Sequence, residues 1–143
     1  MRIADVLRHK GGAVATIRPD ATVADLLAGL AENNIGAMVV LDADGGLEGI
    51  VSERDVVRQL HVQGPGVLEQ PVSKIMTSVI ATCSKADSID AISALMTKNR
   101  VRHVPVVEND RLIGIVSIGD VVKNRIDELE AEHAQLQSYI TQG

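Results

Sequence analysis

Residues 49–57 read GIVSERDVV and residues 114–122 read GIVSIGDVV. Each is an apolar, β-branched run that meets a Ser-x-x-Asp frame and then a pair of valines, the pattern of a strand ending where a helix begins. Working outward, residues 14–44 align with 80–110 and, once Gly45 is passed over, 46–58 align with 111–123, with 14 identities in 44 pairs. The chain is an internal duplication.

Both copies have the same order of elements. VATI at 14–17 and IATC at 80–83 suit a short strand. Val23, Leu26, Leu27 and Leu30 fall at i, i+3, i+4 and i+7, and Thr22 with Asp25 forms a capping box, which predicts an amphipathic helix. Its counterpart keeps Ile89, Ile92 and Met96 and replaces one apolar position with Ser93. Two apolar strands joined by an Asp-Gly turn follow, and a helix begins near Glu53 or Ile118. Each repeat is thus βαββα, an α/β (α+β) fold. Short lead-ins, IADVL and VSKIM, precede the copies, and the first carries about three extra residues around Lys10, Gly11 and Gly12. The units are placed at 1–66 and 67–125, with a helical tail at 126–143. A copy of about 60 residues is marginal on surface-to-volume grounds, so the two are expected to share one core, as a pseudo-twofold pair of sheets whose frames face a common cleft.

Composition narrows the function. The 143 residues are 45 % apolar, with no Phe or Trp and only Tyr139, so the core is aliphatic and base stacking on aromatic side chains is excluded. A net charge of -5 argues against a nucleic-acid partner. The single Cys83 has no internal disulfide partner, and no Cys/His spacing matches a zinc site. With no long apolar run, the expectation is a cytoplasmic protein without a membrane partner.

The Ser-x-x-Asp frame admits two readings. Ser52 with Asp55, and Ser117 with Asp120, have the spacing of a helix cap, the serine accepting a backbone N–H and the acid favouring the positive end of the helix. A helix N-terminus also attracts phosphate, and an adjacent carboxylate can accept the two hydroxyls of a ribose.

Both copies resemble cystathionine-beta-synthase (CBS) domains, and the chain resembles a stand-alone pair of them, a Bateman module. The resemblance rests on GIVSERDVVR, GIVSIGDVVK, RHVPVV at 102–107 and SKIMTSVIAT at 73–82, and runs from about Ile3 to Lys123. It implies a non-catalytic sensor that binds an adenosine-bearing ligand (AMP, ADP, ATP, NAD or S-adenosylmethionine) between the copies. It also implies a homodimer read by a regulated target protein. Carried over by position, Asp120 takes ribose hydroxyls and Ser117 bonds sugar or phosphate. Ile80 and Thr82, with Arg102, His103, Val104 and Pro105, edge the adenine and phosphate. The matching first-copy positions are Thr16, Gly36, Ala37, Met38, Ser52 and Asp55, with Arg54 nearby. Because Gly36 and Ala37 stand where copy two has Arg102 and His103, the first site is expected to be short of positive charge, and Asp120 to matter more than Asp55.

Other features weigh less. Asp42 to Glu53 has acids at three places of a calcium loop, but Leu47 stands where glycine is needed and the segment lies between strands, so a hairpin turn is expected. Cys83 alternates into a strand as a buried thiol, and His9, His61 and His133 have no triad partner in view. Val122, Ile126, Leu129, His133, Leu136 and Ile140 form a short heptad seam loaded with Glu128, Glu130 and Glu132. Two alternatives to a sensor are a small nucleotide-acting enzyme, for which no nucleophile–base pair, Walker loop or acidic metal cluster is present, and a structural dimerisation module with vestigial clefts.

Overall fold

The computed structural model describes residues 1–11, 14–78 and 81–142. Helix α1 (Ile3–Lys10) leads into a first repeat of β1 (Thr16–Ile17), α2 (Val23–Asn33), β2 (Ala37–Leu41), β3 (Leu47–Ser52) and α3 (Glu53–Gln63). Two short 3-10 turns (Pro65–Glu69 and Val72–Lys74) and β4 (Thr77–Ser78) connect it to α4 (Ile89–Asn99), β5 (His103–Glu108), β6 (Arg111–Ser117) and α5 (Ile118–Gln142).

Hydrogen-bond register shows the duplication. Strands β2 and β3 pair antiparallel with Ala37 opposite Ser52, and β5 and β6 do so with His103 opposite Ser117. Both ladders slip at the same place, after Val40 and after Val106. Ile17 pairs in parallel with Val40, and the equivalent pairing in the second repeat is a single bridge between Cys83 and Val106. Strand β4 adds to the first sheet, giving the order β1-β2-β3-β4, while β5 and β6 form a two-stranded sheet.

The helices start where side-chain chemistry starts them. Thr22 and Asp25 form the expected capping box at α2, and Ser88 accepts from the Ala91 N–H at α4. Both helices end on a left-handed residue, Asn34 in the first copy and Arg100 in the second. Asn tolerates that conformation; Arg100 holds it at a cost in backbone strain. Val23, Leu26 and Leu30 are buried, whereas Leu27 sits at the rim, 36 % exposed. That explains Ser93: its position is the edge of the apolar stripe, where a polar residue displaces no core contact.

The expectation of one shared core is corrected. Buried residues fall into two clusters, one per repeat, and each is completed by the other copy's lead-in. Ile3 and Val6 pack with Ile89, Met96, Val104 and Val116, while Val67, Val72 and Ile75 pack with Val23, Leu26, Val40 and Val51. Backbone bonds repeat the exchange. The Ile3 N–H donates to the Asp87 carbonyl (2.9 Å) as the Val72 N–H does to Ala21 (2.8 Å), and the Ile89 N–H donates to Met1 (3.1 Å) as the Val23 N–H does to Gln70 (3.0 Å). A small βαββα unit exposes an apolar flank that its own two helices do not cover, and a borrowed segment removes it from water.

The exchange also accounts for the glycine that opens each signature. A Cβ on Gly49 would lie 2.6 Å from the Thr77 carbonyl oxygen, and one on Gly114 would lie 2.5 Å from a Leu7 methyl. The Asp42 carboxylate accepts the N–H groups of Asp44 (2.9 Å) and Gly46 (2.7 Å), so the calcium-like segment is a hairpin turn with Gly45 at φ +83°. Cys83 is buried, and burial, with Asp87 adding to it, pushes its thiol up to about 12. Helix α5 continues the signature helix without a break through the seam, leaving Ile126, Leu129, Leu136 and Ile140 exposed to solvent.

Candidate functional site

The capping reading of Ser-x-x-Asp is realised in both copies with the same geometry. In the first, the Ser52 N–H and hydroxyl donate to Asp55 Oδ2 (2.8 and 3.0 Å), and the Asp55 N–H donates back to Ser52 Oγ (3.3 Å). In the second, the Ser117 N–H and hydroxyl donate to Asp120 Oδ2 (2.8 and 3.1 Å), and the Asp120 N–H donates to Ser117 Oγ (3.2 Å). The box uses one carboxylate oxygen. Among the described residues, Oδ1 of each aspartate has no hydrogen-bond partner and is left to accept from a ligand. Capping and binding are therefore compatible in one residue.

Both junctions open onto one cleft of about 490 Å³. Of the residues singled out by sequence, Gly36, Ser52, Arg54 and Asp55 of the first copy and Arg102, His103 and Ser117 of the second line it. Gly36 is small for a reason: a Cβ there would stand 3.3 Å from a Glu53 carboxylate oxygen. Ala37 and Met38 on β2, and Val104 and Pro105 on β5, are buried strand residues with no place on the cleft wall. Thr16 is exposed on β1, Thr82 is exposed beside the Cys83 bridge that stands where the second copy's opening strand was expected, and Ile80 lies outside the described residues.

The positive charge lies elsewhere than the register of the repeats suggests. Arg102 and His103 belong to copy two in sequence, yet they line the cleft that holds Asp55, together with Arg54, Arg58 and Arg100. The expected shortage of cations at the first frame is thus corrected: the other copy supplies them across the pseudo-twofold. Among the described residues none of these four guanidinium groups has an ion-pair partner, and the cleft acids are Glu53 and Asp55, so a protein of net charge -5 gathers a local positive excess here. Arg58 and Arg100 escaped the sequence reading. Arg58 is the last residue of the GIVSERDVVR signature, one helical turn from Asp55, a spacing available for reading, whereas the left-handed end of α4 that sets Arg100 has no sequence signal beyond its alignment with Asn34.

Asp120 has a different environment and is not among the cleft-lining residues. Lys10, from the end of α1, donates to Asp120 Oδ2 (2.8 Å) and to the Ile115 carbonyl (2.8 Å). Burial alone would raise the Asp120 carboxyl, but hydrogen bonds from Lys10 and from the Ser117 N–H and hydroxyl outweigh it and hold the carboxyl below the ordinary range. Burial pushes the His103 imidazole below its ordinary value, and Lys10 and Arg102 push the same way against Asp120 and Glu53. His103 therefore sits within the field of both frames.

Such a cleft can hold an anion beside a hydroxyl-rich group. Among the described residues no cluster of His, Cys, Asp and Glu is arranged to hold a metal ion, and no helix is long and apolar enough to cross a membrane.

Comparison with known proteins bears on this architecture directly. The CBS domain model matches twice, at residues 3–62 and 72–127. The mitochondrial CBS domain-containing protein CBSX3 of Arabidopsis thaliana is 36 % identical over 149 residues, which cover 99 % of this chain and 72 % of the relative. A crystal structure of a CBS-domain containing protein from Agrobacterium tumefaciens is 45 % identical, with a TM-score of 0.84 over 87 % of this chain and 99 % of that one. The CBS domain pair of protein MJ0100, solved with methylthioadenosine and S-adenosyl-L-methionine, is similar in fold (TM-score 0.80, 22 % identity, 90 % of this chain and 98 % of that one). Two matched repeats, two crossed lead-ins and a shared cleft make one kind of molecule: the chain belongs to the CBS-domain family, as a tandem CBS pair or Bateman module, and is a non-catalytic regulatory module.

Proposed function

We propose that the cleft binds an adenine nucleotide (AMP, ADP, ATP or NAD) and that the protein works as a sensor whose state a partner protein reads. The observation that carries this is the company kept by Asp55: a carboxylate oxygen unused by its own capping box, in a cleft with His103 and four arginines that have no ion-pair partner among the described residues. The carboxylate suits the ribose hydroxyls, and the guanidinium groups suit phosphate in a partly desolvated space. Arg54, Arg58, Arg100 and Arg102 contact phosphate, Ser52 and Ser117 lie at the helix starts beside it, and the Gly36 backbone borders the base. Thr16, Ala37, Met38, Val104 and Pro105 act from behind, by shaping the strands that carry these groups, and Ile80 and Thr82 are assigned to the site by the family resemblance alone. The adenosine compounds in the MJ0100 complex support the ligand class. The repeats at 1–66 and 67–125 hold the ligand between them, and the 126–143 segment serves assembly.

The protein is also proposed to be a homodimer. Val57 on α3 and Val122 on α5 occupy the same place in the two signatures and are 68 % and 51 % exposed, and Val122 begins the apolar seam of α5. A second copy laid on these helices removes that surface from water. Calorimetric titration of the four nucleotides into the full chain tests the ligand reading. Binding that Asp55→Ala weakens at least tenfold supports it. Absence of heat and of any thermal shift with all four would leave the structural dimerisation module as the better account.

A further inference from the structure

The two frames are alike within themselves and differ in what the lead-ins bring to them. Lead-in bonds repeat at a spacing of 69 residues (Ile3 with Val72, Met1 with Gln70), whereas the repeats themselves run at 66 up to the hairpins (Val40 with Val106), so the first lead-in and crossing hold three residues more. Where the second has a three-residue 3-10 turn followed by β4, the first is the full helix α1, eight residues long. Its last turn is basic (Arg8, His9, Lys10), and its last residue delivers Nζ to Asp120 Oδ2 and to the Ile115 carbonyl, both at 2.8 Å. At the first frame the lead-in offers Thr77 and Ser78 of β4, which line the cleft and bring hydroxyls in place of a cation.

We propose that Lys10 is a built-in latch on the second frame: its ammonium holds one oxygen of the carboxylate and balances its charge, so a ligand's vicinal hydroxyls take the Asp55 frame first and the Asp120 frame only when Lys10 leaves. This rests on the nucleotide reading of the cleft. Asp120 Oδ2 already carries three donors, the Ser117 N–H, the Ser117 hydroxyl and Lys10. Oδ1 is the oxygen left to a ligand, and a sugar diol that reaches it meets a carboxylate whose charge is already balanced by a donor that is also anchored on a strand carbonyl. The pair is partly exposed, with side-chain accessibilities of 36 % for Lys10 and 21 % for Asp120, so the latch can open without unfolding of the core that Ile3 and Val6 hold. One module thereby gains two unequal sites, a ready one and a reserved one.

The test reads the second frame alone, by calorimetric titration of AMP and ATP into full-length Asp55→Asn protein with and without Lys10→Met. The latch predicts that Lys10→Met tightens this binding on the order of tenfold, that adding Asp120→Asn abolishes the gain, and that Lys10→Arg, which keeps a cation at the site, leaves the binding weak. Circular dichroism melts establish that each variant is folded. Second-frame affinity that is the same with Lys10 or Met overturns the latch. So does weaker binding in Lys10→Met, which would make Lys10 a direct ligand contact. If neither the wild type nor Lys10→Met binds either nucleotide, the nucleotide reading falls and the latch falls with it; binding by the wild type with an unmoved second frame removes the latch alone.

Discussion

The first and second copies carry the same capping box to within a few tenths of an ångström, yet Asp55 faces an open cleft and Asp120 faces Lys10. The difference shows that a repeated motif defines a backbone, and that its surroundings define a site. Here the surroundings come from the other copy: Arg102 and His103 reach the first frame, and α1, which precedes the first copy in sequence, closes the second.

The largest effect that bears on this comparison is loss of a borrowed core residue. Ile3 is fully buried among second-copy residues, so Ile3→Ala should cost about 2–5 kcal/mol in denaturant unfolding, with amide exchange rising in β5 and β6. A rise confined to β2 and β3 would contradict the crossed lead-ins. Next come the signature glycines. Gly49→Ala drives a methyl into the Thr77 carbonyl, which is backbone and cannot turn aside, and should cost on the order of 1–3 kcal/mol. Gly114→Ala meets only the end of the Leu7 side chain, which can rotate, and should cost less. Equal melting shifts for the two variants would show that close approach is not what holds glycine at these places.

The smallest effect is pH dependence. The folded protein keeps His103 neutral where an unfolded imidazole, near pKa 6.5, takes a proton. Stability should therefore fall as pH drops through about 6.5 and level off once folded His103 is protonated. His103→Gln should flatten that window in thermal melts between about pH 7 and pH 5. Ala37, its counterpart in the first copy, offers no such group. The depressed Asp120 carboxyl acts lower: its contribution is present above the ordinary carboxylate range near pKa 3.9 and is lost as pH falls through the folded value. A His103→Gln protein that keeps the upper window would place its origin elsewhere.

Much of this was legible in sequence because it is local. The frames, the Thr22 box, the faces of α2 and α4 and the hairpins depend on spacings of two to four residues, and those spacings have one geometric solution. Even the three extra residues of the first lead-in could be counted. The destination of the lead-ins was not legible, since Ile3, Val6 and Leu7 make an apolar stripe that fits either copy's flank equally well. For the same reason the reach of Arg102 and His103 into the cleft of the first frame, beyond their own second frame, was not legible: alignment says which residues are equivalent and is silent on which sites they face. The left-handed turn at Arg100 and the reach of Lys10 to Asp120 are properties of the assembled chain.

The most direct test of the account compares the two aspartates. Titrating AMP, ATP and NAD into wild type, Asp55→Ala and Asp120→Ala measures what each carboxylate contributes to the best ligand. A charge-assisted hydrogen bond to a ribose hydroxyl is worth on the order of 1.5–3 kcal/mol, about ten- to over a hundredfold in affinity. The account predicts that loss for the tighter binding event in Asp55→Ala, and a small change in that event for Asp120→Ala, whose cost appears in stability as a lost cap and ion pair. Full loss in Asp120→Ala with Asp55→Ala binding as the wild type does would contradict it, and would return the primary site to the second frame.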